Sequence, residues 1–186
     1  MPARALCALA LLAALVVAGC GHPSEDAGIE EPAREGLAIP IGGVEYNVFI
    51  TRQLNNKIVS DNAIYRGPDP GKGETLYGVF LQACNHGDKP LQSAASFVVT
   101  DNQDNEFEPI EQPEENAFAY HPRRLGPDEC IPETGSVAQL GPAGASMLLF
   151  KFPIENTENR PLELEITSPL SADGPEPETR KIELDL

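Results

Sequence analysis

Residues 75–85 read TLYGVFLQACN, and HGDKP follows at 86–90. Leu76 and Phe80 fall on one parity of this stretch, Val79, Leu81 and Ala83 on the other, so an extended chain here would be apolar on both faces. That is the pattern of a strand enclosed within a sandwich. HGDKP ends it with turn chemistry: Gly87 for positive φ, Asp88 for a local cap, and Pro90 to stop strand pairing. Upstream, Val44, Tyr46, Val48 and Ile50 alternate with Glu45, Asn47 and Thr51, a period of two that predicts a half-buried strand. Phe49, Phe80, Phe97, Phe150 and Phe152 fall within predicted strands and are read as core. Downstream, SFVVT (96–100) is the next strand, DNQDN (101–105) a hairpin tip, and EFEPI (106–110) the return, with Pro109 marking an edge. SMLLFKFPI (146–154) resumes strand character, and Leu162, Leu164 and Ile166 alternate with glutamates. The intervening segments, 55–73 with its RGPDPGKG and 111–142 with its prolines, read as connections, with a short strand around SVAQL (136–140). After residue 20 no stretch has a helix-length apolar period. Short strands separated by turns predict an all-β, antiparallel sandwich.

Four stretches carry a resemblance: YNVFITRQL, LYGVFLQACNHGDKPLQSAASFVVTDNQDNEFEPI, LGPDECIPETG and SMLLFKFPIENTENRPLELEIT. Together they resemble the immunoglobulin-like domain of many bacterial surface lipoproteins, whose fold is similar to that of a small secreted mycobacterial immunogenic antigen. The landmarks are the N-x-G-D-K-P turn at Asn85–Pro90, F-x-V-x-D at Phe97–Asp101, and a late L-L-F strand. The resemblance covers residues 44–168 and implies an immunoglobulin-like β-sandwich without specifying any chemistry. The chain departs from it in an Ala- and Pro-rich loop before the late strand and in a tail, 169–186, whose KIELDL is read as one extra edge strand.

The N-terminus gives a location. A short positive start leads into an unbroken apolar run from Leu6 to Val17, too short to span a hydrocarbon core of ~30 Å. LVVAGCGHPSED follows at 15–26, and Val17-Ala18-Gly19-Cys20 resembles the lipobox of bacterial lipoprotein precursors. Residues 1–19 are therefore expected to be a signal peptide. Cys20 is expected to be the lipidated first residue of the mature chain, anchoring it to a membrane outside the cytoplasm. Residues 20–43 hold five carboxylates against one Arg and three prolines, and read as a flexible acidic linker.

Charge narrows the partners. The chain carries 13 Lys and Arg against 29 Asp and Glu, a formal net charge of −16. Loss of Arg4 with the signal peptide makes it one unit more negative. Nucleic acid and anionic headgroups would repel such a body. The membrane is then reached through the lipid alone, and the expected partner is an envelope or extracellular protein.

Chemistry is sparse. Cys84 and Cys130 form an even pair in an oxidising compartment, which favours a disulfide tacking a long loop to the end of a strand. Two free thiols or a mixed metal site are the alternatives. His22, His86 and His121 share no ligand spacing. DNQDNE at 101–106 departs from a calcium loop, with Gln103 at a ligand place and Glu106 where glycine is required. No G-x-S-x-G elbow or S-x-x-K occurs, and Gly-Lys at 71–72 lacks phosphate-loop spacing. No cofactor, no metal and no catalytic residue is assigned. Phe118, Tyr120, Arg123 and Arg124, in NAFAYHPRR, form the one basic-aromatic cluster of the mature sequence and are the expected partner-binding surface. The alternative for that loop is that Phe118 and Tyr120 plug the sandwich while the arginines pair with Glu114, Glu115 and Asp128. The expectation is a non-catalytic, lipid-anchored interaction module. An ion- or ligand-carrying envelope lipoprotein and an envelope hydrolase built from scattered residues are the competing classes.

Overall fold

The computed structural model describes residues 32–65, 67, 69–170 and 176–186. The signal segment, Cys20 and the linker up to Glu31 lie outside the described residues. The chain enters the fold through β1 (Ala33–Arg34) and β2 (Ala38–Ile41), ahead of the long strands β3 (Val44–Leu54) and β4 (Glu74–Cys84). A six-residue helix, α1 (Val59–Ile64), lies between these two. β5 (Leu91–Gln92), β6 (Ser96–Thr100), β7 (Glu106–Phe107), β8 (Arg124–Leu125) and β9 (Cys130–Ile131) follow. β10 (Ser146–Pro153), a 3-10 helix (Ile154–Glu158), β11 (Leu162–Thr167) and β12 (Thr179–Leu184) complete the order.

The strands form two main sheets. One has the order β1-β12-β11-β6-β7; the other runs β10-β4-β3-β2, with β9 pairing the far end of β4. β5 and β8 make a separate ribbon. Every pairing is antiparallel except β1 with β12. The expected all-β, antiparallel sandwich architecture is thus met, with the long strands β3 and β4 as hydrogen-bonded neighbours at the centre of one sheet.

Between the sheets lies one continuous core. Tyr46, Val48, Val79, Leu81 and Phe150 meet Phe97, Val99, Leu164, Ile166 and Ile182, all almost fully buried. Complete burial of one such side chain contributes ~1.5–3 kcal/mol, so the period-two alternation dictates which face each strand turns inward. A second cluster covers the opposite face of the β10-β4-β3-β2 sheet: Leu54, Ile64, Tyr65, Leu76, Phe80, Met147 and Leu149, with Ile110 and Phe118 packed against it. This accounts for the two apolar parities of β4. Its odd positions face the other sheet, and Leu76 and Phe80 face a cover made by α1 and the 110–118 segment.

That cover is tied down by polar contacts. The Arg52 guanidinium lies over the Phe80 ring at 5.3 Å and pairs with the buried Asp61 of α1 at 2.8 Å. Burial alone would raise the Asp61 carboxyl. The Asn55 amide and Arg52 outweigh it and hold the group below its ordinary value. On the other side, Ile110 N–H donates to Leu149, Met147 N–H to Phe118, and Tyr120 N–H to Met147. These bonds cap the outer edge of β10, an edge that would otherwise template aggregation.

Several expectations are corrected. β12 is no edge strand, because it lies between β1 and β11 with Ile182 and Leu184 in the core. The sandwich therefore extends beyond 44–168, to Pro32 at one end and Leu186 at the other. Residues 33–41, read as linker, form β1 and β2. Gly42 and Gly43, at φ +58° and +82°, make the two-residue hairpin that joins β2 to β3. A Cβ at Gly42 would lie 2.5 Å from Ser168 Cβ. Ser136–Leu140 is a turn, while the strands of the 111–142 segment are β8 and β9. A bulge in β3 between Val48 and Ile50 leaves Phe49 without a partner on β4 and flips the parity. Phe49 and Ile50 are consequently 38% and 42% exposed, and Thr51 turns inward.

Candidate functional site

The loop singled out by composition does not form one surface. Tyr120 is 7% exposed, its ring set edge-on against Phe97 at 5.1 Å and its hydroxyl donating to Ala94 O at 2.9 Å. Tyr46 Oη accepts from Ala94 N–H at 2.6 Å, so the two tyrosines hold that backbone segment from both sides. Burial pushes both phenols up. Arg123 is committed internally: it reaches Glu129 at 3.0 Å and the Cys130 carbonyl at 2.9 Å, bracing the turn before β9. Glu129 takes the role foreseen for Glu114, Glu115 and Asp128. Arg124 is exposed on β8. Phe118 packs against the outer cluster, whereas Tyr120 belongs to the inner core. The four residues do not share one contact surface: Phe118 lies in the turn at 117–118, and only after Ala119 bridges Met147 does the chain carry Tyr120 into the inner core.

Cys84 and Cys130 are directly opposed in register, with Cα atoms 4.1 Å apart, and form a disulfide. It joins the last residue of β4 to β9, fixing a loop to a strand end. Asn85, fully buried, completes the junction: its side-chain amide donates to Lys89, Leu125 and Gly126 carbonyls, while its oxygen accepts from Gly87 N–H. The N-x-G-D-K-P motif is thus an Asx turn whose side chain also anchors the neighbouring ribbon.

The DNQDNE tip is equally structural. Asp101 accepts from the backbone N–H of Gln103 and Asn105 and from the side-chain amides of Asn105, Asn156 and Asn159. Donors occupy both oxygens. Among the described residues no three or more His, Cys, Asp or Glu side chains are grouped to hold a metal ion. No helix among them is long and apolar enough to cross a membrane.

A cleft of about 950 Å³ opens instead on the covered face of the β10-β4-β3-β2 sheet, within the range of ligand sites. One wall is α1 with Tyr65, Gly67, Asp69, Pro70 and Gly71; the other is the 110–118 segment. Ile64, Tyr65 and Leu76 line it from the first side, Ile110 and Phe118 from the second. Asn116 braces the walls, donating to the Ile64 carbonyl at 3.1 Å and accepting from Phe118 N–H at 3.1 Å. Lys151 enters paired to Glu74 at 3.1 Å. That contact and the Gly71 N–H hold the Glu74 carboxyl below its ordinary value. Burial raises the Tyr65 phenol. Of the singled-out residues, Phe118 alone lines this cleft. The signal for the rest was the second apolar parity of β4, since Leu76 and Phe80 required a cover.

No family model matches the sequence, and no curated protein matches it. Three solved structures are similar at low identity. A candidate lipoprotein, ycdA, of Bacillus subtilis subsp. subtilis str. 168 shares 13% identity over 80% of this chain, with a TM-score of 0.46. This chain spans 38% of the length of ycdA. The yjhA protein of Bacillus subtilis shares 12% over 82% of this chain and 99% of its own, TM-score 0.47. An uncharacterized β-sandwich protein of Clostridium difficile 630 shares 14% over 84% of this chain and 97% of its own, TM-score 0.45. No function follows from these likenesses.

Proposed function

We propose that this protein is a lipid-anchored, extracytoplasmic binding module of a bacterial envelope, similar to the immunoglobulin-like domains of surface lipoproteins, acting without catalysis through the cleft. The observation that carries the binding role is the cleft itself. Its apolar lining is held open by polar bracing at Asn116 and Glu74–Lys151 rather than closed by side chains. The Cys84–Cys130 disulfide fits an oxidising compartment, and the lipobox-like VAGC at 17–20 supplies the anchor. The recognition residue kept from the sequence reading is Phe118. Tyr120 and Arg123 support it from within.

Two experiments test the reading. Cys20→Ser should abolish acyl labelling and release the chain from, or strand its precursor in, the membrane fraction; normal labelling would remove the anchor. Capture from envelope extracts with the full chain should yield a partner that an Ala117→Trp variant fails to retain. Ala117 is exposed at the cleft mouth, so the bulkier ring fills the opening at little cost to the fold. Equal capture by both would place recognition elsewhere.

A further inference from the structure

We infer that the cleft takes a cationic amphipathic peptide segment of a partner protein, its apolar side chain seated against Ile64, Leu76 and Phe118 and its Lys or Arg over Glu111 and Glu115. This rests on the cleft being the binding site and adds the chemistry of its occupant.

The charge distribution around the trough decides the class. Its walls carry four carboxylates, Asp69, Glu74, Glu111 and Glu115, against the Lys151 ammonium. Glu74 is neutralised by that ammonium at 3.1 Å, and Asp69 reaches Lys57 only at 3.8 Å on an exposed surface. Glu111 and Glu115 carry no ion pair among the described residues, and both are exposed. They flank Gln112 and Pro113 on the same segment that presents Phe118. An acidic or phosphorylated ligand would meet uniform repulsion from this rim and from a body of net charge −16. A neutral apolar ligand would gain burial but leave the rim unused. A segment alternating basic and apolar side chains satisfies both, because in an extended peptide successive side chains point to opposite sides. Its apolar residues face the trough while its basic residues lie along the rim, where complementarity sets specificity and association rate more than affinity.

The test uses the full chain in neutral-lipid nanodiscs and three capped peptides: Lys-Phe-Lys-Leu-Lys, Ser-Phe-Ser-Leu-Ser and Glu-Phe-Glu-Leu-Glu. The basic peptide should bind about tenfold more tightly than the serine peptide at low salt, with the advantage shrinking as salt rises. The acidic peptide should show no binding. Glu111→Gln/Glu115→Gln, at exposed positions that do not hold the fold, should lower affinity for the basic peptide by about fivefold or more and leave the serine peptide unaffected. Equal binding of basic and serine peptides, blocked by Ala117→Trp, would overturn the charge inference and keep the cleft as the site. Basic-peptide binding that Ala117→Trp does not diminish would overturn both.

Discussion

Asn159 donates its side-chain amide to the Asp101 carboxylate at 2.9 Å, joining the β6–β7 hairpin tip to the segment that follows the 3-10 helix. Asn156 donates to the same oxygen at 3.0 Å, so one carboxylate at the end of β6 fixes the crossover from β10 to β11. This crossover carries the chain from one sheet to the other, and the Asp101 carboxylate acts there beside Asn102, whose backbone and side-chain N–H groups donate to the Asn159 and Arg160 carbonyls.

Asp101→Asn should therefore destabilise the protein by about 2–3 kcal/mol, because an amide presents its own N–H groups to three other amides. Acid should do the same reversibly. Burial raises the carboxyl, but the donors outweigh it and leave it far below an ordinary aspartate. A depressed folded value gives stability that is complete above the unfolded value of ~3.9 and declines as pH falls below it. Chemical denaturation between neutral pH and about pH 3 should show this slope in the parent and a shallower one in Asp101→Asn.

Reduction of Cys84–Cys130 should lower stability by up to about 4 kcal/mol while leaving the sheets intact. The bridge closes a separation of 46 residues at the end of β4, and none of the long-strand pairings depends on it. Far-ultraviolet circular dichroism should be unchanged on reduction as the denaturation midpoint falls. Loss of the β signal would show that β9 and its loop organise the sheet.

Tyr120→Phe should cost about 1 kcal/mol through the lost hydrogen bond to Ala94 O. Binding of any captured partner should be unaltered, because the phenol faces the core. A weaker complex at unchanged stability would return Tyr120 to the interface.

The strands of the sandwich are legible because burying one face imposes a period of two, which β6 and β11 carry, and burying both faces gives the continuous apolar runs of β4 and β10. KIELDL alternates like an inner strand, but the place of β12 beside β11 is a long-range pairing that no local pattern encodes. Phe49 misled because a bulge flips parity without changing composition. The site was legible only in Phe118. Tyr120 and Arg123 belong to residue types that interfaces favour, yet the same qualities suit a buried hydrogen-bonded phenol and a guanidinium bracing a turn. The cleft arises where two segments 47 residues apart, beginning at Ala63 and Ile110, meet over the outer parity of β4.

The most direct test places a photoreactive benzoylphenylalanine at position 114, exposed beside the cleft rim without lining it, and another at position 104, on the exposed hairpin tip, each in the full chain in living cells. Irradiation should give a discrete crosslinked species from position 114 and none from position 104, with the position-114 crosslink lost on addition of Ala117→Trp. Crosslinks of equal yield from both positions, or from position 104 alone, would contradict the cleft as the seat of binding.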